Sequence, residues 1–273
     1  MGTPVDPDAF NAFEAAGWEE RAPTYHRSLL PITRQVIEPL LDAAAVGPGT
    51  RVLDVGSGPG YVAAAAAARE AAAVGVDVAP AMVALARTLH PRVEFVRGDA
   101  EHLQFADDSF GAVVGNFAIL HLGRPEQAAA EFARVLSPGG KVALSLWDVP
   151  AASRMPGVFF DAVQDVGAAP PPGLPTGPPM FRFADEAEFA RLLGDAGFVD
   201  VTVSTVAFTY HYVGDLFDCL LDGTVRARGL VLAQPEATRA RIRAALDRLT
   251  AEYAADGGFD VPISVKVASG RTK

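Results

Sequence analysis

The stretch Val52-Leu53-Asp54-Val55-Gly56-Ser57-Gly58-Pro59-Gly60 constrains this chain more than any other. A short strand-forming run passes directly into three alternating glycines, and an alanine-rich helical run, Ala63 to Ala73, follows. Glycines let such a bend adopt backbone angles closed to other residues and let a ligand approach the main chain. Alanine favours helix and permits close packing against a sheet. Four further units have the same grain. The apolar runs Arg51–Val55, Ala73–Asp77, Val93–Arg97, Gly111–Gly115 and Lys141–Trp147 alternate with helical stretches. Nearly continuous apolar strands separated by helices indicate a parallel sheet covered on both faces.

The helices are marked by spacing and by their ends. Met82, Leu85, Ala86 and Leu89 form one i, i+3, i+4, i+7 stripe behind Pro80. Glu126 to Leu136 reads as a helix stopped by the turn signal Ser137-Pro138-Gly139-Gly140. Pro31 to Ala45 reads as one amphipathic helix closed by Gly47-Pro48-Gly49, and upstream of it Trp18 and Tyr25 would share a helical face. After the fifth strand, Ala168 to Pro179 is a stiff proline-rich loop. Asp185 to Gly197 then predicts a helix, Phe198–Phe208 a strand, Pro235–Ala254 a helix and Val261–Val267 a last strand with Pro262 near its start. The helices between those last two strands are assigned to a cap over the carboxyl edge of the sheet. The expected organisation is an N-terminal helical lid (1–46), a ligand-binding core (47–150), and the end of the sheet with an inserted cap (151–273).

Composition narrows the function classes. Half of the 273 residues are hydrophobic, which excludes disorder for most of the chain. No uninterrupted apolar run approaches the roughly 20 residues of a membrane span. The N-terminus lacks the basic start and apolar core of a secretion signal. The single cysteine, Cys219, allows no internal disulfide and fits a cytoplasmic setting. A formal charge of −10 argues against nucleic acid as a partner. No His/Cys grouping has metal-ligand spacing.

Acidic residues define the ligand. Asp77 closes the second strand 21 residues past Gly56, the position that accepts from ribose hydroxyls in nucleotide-binding α/β folds. A dinucleotide fingerprint would place glycine or alanine where Tyr61 stands, and Asp54 would repel a pyrophosphate. A net-cationic ligand with an adenosine end suits the site better, and S-adenosylmethionine has that description. Gly98-Asp99-Ala100-Glu101 adds a third acidic marker, where Asp99 can accept from an adenine amino group and Ala100 offers a backbone N–H.

Residues 51–148 resemble the core of class I S-adenosylmethionine-dependent methyltransferases, most closely the ubiquinone/menaquinone-biosynthesis type and its small-molecule relatives. The matching pieces are VLDVGSGPG, GVDVAPAM, GDAEHLQFADDSFGAVV and FARVLSPGGKVALSLW, about a third of the chain. The likeness extends weakly to Trp18…Tyr25 and to FRFADEAEFARLLGDAGFVDVTV. It implies a Rossmann-like α/β fold with a seven-stranded, mostly parallel sheet, helices on both faces and a helical cap. It also implies roles for individual residues. Asp54, Gly56, Ser57, Gly58 and Gly60 would hold the amino-acid end of S-adenosylmethionine. Asp77 would take the ribose, Val78 and Met82 would lie against adenine, and Asp99, Ala100 and Glu101 would read its ring. Asn116 and Phe117 would close over the methionine part, with Tyr25 as a lid. Gly111 stands where relatives commonly carry aspartate.

Methyl transfer from a sulfonium is an in-line displacement, and alignment alone can supply roughly 7–11 kcal/mol. A carbon or phenol nucleophile also benefits from a general base. His121, just past the fourth strand, is the first candidate base. His211, within Tyr210-His211-Tyr212, and Asp148 are weaker ones. On a strand, Tyr210 and Tyr212 would share one face and His211 the other. Arg239 and Arg243 stand i, i+4 in an arginine-rich segment and could clamp an anion, though solvated faces look the same in sequence. Cys219, between Phe217 and Leu220, reads as packing. The expected reaction is methylation of an O, N or C nucleophile on a small molecule by a monomer or homodimer. Two rivals remain, an S-adenosylmethionine-binding module without catalysis and an NAD-dependent oxidoreductase. Release of S-adenosylhomocysteine with acceptors separates the first from an enzyme, and nicotinamide fluorescence on mixing tests the second.

Overall fold

A computed structural model describes residues 6–171 and 173–273. The first five residues of the N-terminus read above, and Pro172 of the proline-rich loop, lie outside the described residues. The chain opens with α1 (Pro7–Tyr25), α2 (Leu30–Thr33) and α3 (Ile37–Ala43). Alternation then sets in with β1 (Arg51–Val55), α4 (Tyr61–Ala68), β2 (Ala72–Asp77), α5 (Pro80–Leu89) and β3 (Glu94–Arg97). It continues with β4 (Phe110–Asn116), α6 (Pro125–Val135), β5 (Leu136–Trp147), α7 (Arg154–Val166) and α8 (Glu186–Asp195). The last third contains β6 (Val199–Tyr212), α9 (Leu216–Gly223), α10 (Arg226–Leu232), α11 (Glu236–Thr250), β7 (Ala254–Ala255) and β8 (Gly258–Arg271).

The sheet runs β3-β2-β1-β4-β5-β8-β6, with the two-residue β7 pairing β8 off this path. β1 to β5 are parallel, and β8 alone opposes both neighbours, β5 and β6. This is the mostly parallel, Rossmann-like sheet expected. Val52, Leu53, Val55, Val113, Val114 and Leu144 are fully buried, which explains why the central strands carry no polar alternation. Strand order reverses between β1 and β4, so the carboxyl ends of these strands open into the crevice where α/β folds bind ligands.

Three local expectations are corrected. The helix read over Pro31–Ala45 is broken into α2, a tight 3₁₀ turn (Arg34–Val36) and α3. Pro39 is the reason, since its ring lacks an N–H and crowds the carbonyl four residues earlier. Ser137–Gly140 ends α6 but does not form a separate turn. It belongs to β5 as a bulge, where the register jumps between Phe110 and Ala112 and Gly139 takes φ +76°. Pro262 sits inside β8 rather than at its start, and this is tolerated because β5 pairs β8 only from Val265 onward.

Of the helices between β6 and β8, α11 packs along α7, burying Ile242 and Leu246 and pairing Arg248 with Asp165 at 2.9 Å. Only α9 and α10 reach the crevice at the carboxyl edge. On the other side α1 lies across the same crevice. Asp6 caps it through the Ala9 N–H at 3.1 Å, and its inward face carries Phe10, Glu14 and Ala22. Among the described residues no helix is long and apolar enough to cross a membrane.

Gly60 shows how tightly the bend is built. It has φ +85°, and a Cβ placed there would stand 2.4 Å from the Phe95 ring. Gly60→Ala is therefore expected to destabilise the fold by about 2–4 kcal/mol, summing left-handed strain and overpacking. Denaturant unfolding measures this, and an unchanged midpoint would contradict it.

Candidate active site

A cavity of about 200 Å³ occupies the crevice, walled by the β1, β2, β3 and β4 carboxyl ends, α1, α7, α9 and α10. The glycine bend forms its floor. Gly56 and Gly58 take φ +61° and +50°, and a Cβ at Gly58 would project into open space. Asp77, at the end of β2, ties this bend to the next helix. Its Oδ2 accepts from the Gly58 N–H at 2.8 Å and its Oδ1 from the Ala79 N–H at 2.9 Å. Burial raises its pKa, against the pull of both N–H groups. Carboxylate oxygens retain lone pairs after one bond each, so Asp77 can still accept from two hydroxyls. Val78 and Met82 line the cavity beside it, Met82 almost wholly buried.

Asp99 and Ala100 also line the cavity. Asp99 is held by the Glu101 N–H at 2.8 Å and by His102 Nδ1 at 3.0 Å. Glu101 does not join them. Its carboxylate turns inward, accepts from the Arg124 N–H at 2.8 Å and pairs with the Arg124 guanidinium at 3.3 Å, so it braces the loop. Asp54 likewise lies behind the bend instead of on the cavity wall. Its Oδ2 accepts from the α4 N–H of Ala63 at 3.1 Å, while its Oδ1 and the Ser57 Oγ are buried without a partner. Burial pushes the Asp54 carboxyl up to about 8.

At the end of β4, two expected site residues are organised by Ser145 of the neighbouring β5. Its hydroxyl donates to Asn116 Oδ1 at 2.7 Å, and the Phe117 N–H donates to both the Ser145 carbonyl and hydroxyl at 3.1 Å. These bonds hold Phe117 at φ +57°, a strained conformation for an aromatic residue, with its ring 4.4 Å from Trp147. Asn116 Nδ2 donates to the Thr33 carbonyl at 3.1 Å, and Tyr25 bonds the Thr33 hydroxyl through its own at 3.0 Å. Tyr25 thus lines the cavity, edge-on to Trp18 at 5.4 Å, and its burial raises the phenol pKa.

His121 is on the cavity wall. Its Nδ1 lies 3.0 Å from Glu14 Oε2 on α1, and its ring packs edge-on against Trp18 at 4.9 Å. Glu14 is 2% exposed, and its Oε1 has no hydrogen-bond partner. Glu14 was not among the expected site residues. It does fall four positions before Trp18, an acidic residue on the face that Trp18 and Tyr25 define. The remaining candidates lie elsewhere. His211 pairs with Asp260 at 2.7 Å on an exposed stretch of β6, opposite in face to Tyr210 and Tyr212. Asp148 accepts from Ser264 Oγ and the Val149 N–H, each at 2.7 Å, and is a strand-end brace. Arg243 pairs with Asp215 and Asp218 over the Phe217 ring, away from the cavity, and Cys219 is buried.

A family model described as a methyltransferase domain matches residues 53–144. A demethylmenaquinone methyltransferase of Renibacterium salmoninarum is 28% identical over 200 residues, 69% of this chain and 84% of the relative. Residues 53–144 are a methyltransferase domain. Solved structures agree on the fold. The YcgJ protein of Bacillus subtilis superposes with a TM-score of 0.56 at 20% identity, covering 88% of this chain and 99% of that one. A phosphoethanolamine N-methyltransferase 2 of Haemonchus contortus, solved with phosphomonomethylethanolamine and S-adenosylhomocysteine, superposes at 0.53 and 19% identity. That comparison covers 88% of this chain and 52% of the nematode protein. The methyltransferase cavity fits S-adenosylmethionine on its own terms. Open main chain at Gly58 and the free lone pairs of Asp77 and Asp99 line the cavity at one edge of the sheet.

The Asp54 carboxyl has a consequence for stability. Its folded pKa is raised above the unfolded value, so the folded state binds the extra proton between roughly pH 4 and 8. Its contribution is fully present below that window and is lost as pH rises through it. The wild-type melting temperature should fall between pH 6 and 8 more steeply than that of Asp54→Asn, by the equivalent of about 1–3 kcal/mol. Parallel slopes in thermal melts would contradict the assignment.

Proposed function

We propose that the chain transfers the methyl group of S-adenosylmethionine to an O, N or C nucleophile of a small, largely apolar acceptor. The observation that carries this reading is the continuity of the cavity. The glycine bend, Asp77, Asp99, His121, Phe159, Phe160, Met180 and Leu220 all line this one cavity. In the family's arrangement Asp77 takes the ribose hydroxyls, Val78 and Met82 face adenine, and Asp99 and Ala100 meet its edge. Asn116 and Phe117 cover the methionine portion. Asp54 acts through the bend by fixing the N-terminus of α4, and Gly60 by its shape.

When bound, S-adenosylmethionine supplies a methyl group made electrophilic by its sulfonium. The chain's own part is to align the nucleophile, exclude water and hold the proton. Residues 1–46 act as the lid through α1, and α9 with α10 as the cap. Glu14 accepts from Nδ1 of His121, which leaves Nε2 as the free base. Bound S-adenosylmethionine would supply the methyl carbon for in-line displacement with its sulfur as leaving group, and His121 Nε2 would take the proton of the nucleophile. Such bases contribute typically about 10²–10⁴ in rate. A cavity of about 200 Å³ favours a small molecule over a polymer.

Removal of a charged hydrogen-bonding group of this kind costs about 1.5–3 kcal/mol, so Asp77→Ala should weaken S-adenosylmethionine binding at least about tenfold. Calorimetry tests this, and an unchanged affinity removes Asp77 from the site. His121→Ala should lower kcat by about 10²-fold or more while cofactor affinity stays within about threefold. Glu14→Gln should produce the same split at smaller amplitude. Normal turnover in both variants would reduce the pair to a structural contact.

A further inference from the structure

Five side chains with carboxylate, imidazole or guanidinium groups line the cavity: Glu14, Asp77, Asp99, His121 and Arg226. The first four are engaged. Glu14 and His121 hold each other, Asp77 binds two N–H groups, and Asp99 binds one together with His102. Arg226 differs. It is the first residue of α10, and its guanidinium lies over the Phe10 ring at 5.2 Å. Nη2 donates to the Pro178 carbonyl at 3.1 Å, while Nη1 is buried with no hydrogen-bond partner among the described residues. No carboxylate among those residues forms a salt bridge with it. Glu14, the charge that favours its cationic form, bonds His121 through Oε2 and forms no salt bridge with Arg226.

A guanidinium withdrawn from water without a counter-ion is unfavourable, and native structures normally pair it. Here Phe10, fully buried on α1, and the loop at Pro178 fix its plane, so it is pre-organised rather than free to swing into solvent. Guanidinium geometry matches planar oxyanions, and an aromatic platform beneath leaves its edge for them. Leu220, Ala227, Met180 and Phe160, which line the same cavity, are apolar. That wall is contributed by α7, α9, α10 and the loop before α8, whereas the cofactor residues come from the ends of β1 to β4.

We propose that Arg226 is the specificity residue of the acceptor pocket, and that the acceptor presents an oxyanion, such as a carboxylate or phenolate, on an apolar aromatic body. This rests on the methyltransferase reading above and adds the chemical class of the acceptor. The arginine cluster of the last third is thereby divided. Arg243 is neutralised on the surface by Asp215 and Asp218, and Arg226 alone serves the cavity.

Both tryptophans of the chain, Trp18 and Trp147, line the same cavity, so their fluorescence reports its occupancy. The test titrates 4-hydroxybenzoate and its uncharged counterpart 4-hydroxybenzamide into the 273-residue chain saturated with S-adenosylhomocysteine. Wild type should bind the anion at least about tenfold more tightly than the amide, as expected for one charged hydrogen-bonded contact. Arg226→Met should abolish that preference with amide affinity unchanged, and Arg226→Lys should keep part of it. Calorimetry with S-adenosylhomocysteine separates the two sources of a carboxylate. If Arg226→Met weakens S-adenosylhomocysteine at least tenfold, the guanidinium serves the cofactor's own carboxylate and the proposal falls. Equal binding of the two probes by wild type, or no binding of either, also overturns it. Failure of wild type to bind S-adenosylhomocysteine would instead sink the methyltransferase reading, a distinct result. Circular dichroism of Arg226→Met confirms that a lost preference is not a lost fold, and if that variant is unfolded the Arg226→Lys preference decides.

Discussion

The Asp77 carboxylate bridging the Gly58 and Ala79 N–H groups is the contact on which the site depends. One buried side chain at the end of β2 fixes both the glycine bend after β1 and the start of α5. Two donors offset part of the desolvation that burial imposes, yet the pKa stays raised above the ordinary carboxylate value. An incoming ligand bearing hydroxyl donors and a positive charge moves that balance toward the carboxylate. The same residue that shapes the pocket before binding is thereby completed by binding.

The other half of the cavity is built from elements distant in sequence. Glu14 reaches His121 across 107 positions, Thr33 holds Asn116, and Phe10 supports Arg226. Each contact pairs the N-terminal helices with the rim of the sheet or the cap. Displacement at a sulfonium needs alignment and dryness more than covalent assistance. Under the proposed function, a lid held by these polar contacts would meet both needs, because closing the cavity would also orient His121.

Much of this was legible in the sequence where local rules dominate. The parallel core followed from short apolar runs, since strands buried on both faces tolerate few polar residues. Asp77, Asp99 and the glycines could be placed because chain geometry fixes their distance from strand ends. Asp54 and Glu101 were harder. A carboxylate near a bend reads alike whether it faces a ligand or bonds a backbone N–H or an arginine behind the wall. Glu14 and Ser145 escaped because their partners are tertiary, and the helix over Pro31–Ala45 because one internal proline outweighed its amphipathic period. His211 and Asp148 occupied the right end of the sheet in sequence, but the long β6–β8 ribbon carried the first to the surface and Ser264 engaged the second.

The placement of β8 between β5 and β6 has a temporal consequence. The chain makes β6 well before β8, yet β6 pairs with no other strand of the sheet. During synthesis at about 5–20 residues per second, a ribbon of fourteen residues waits several seconds for its only partner. Its alternating exposed positions are rich in threonine, serine and other polar groups, which makes this unpaired edge poorly adhesive. The decoration of β6 thus protects the nascent chain as much as the finished one.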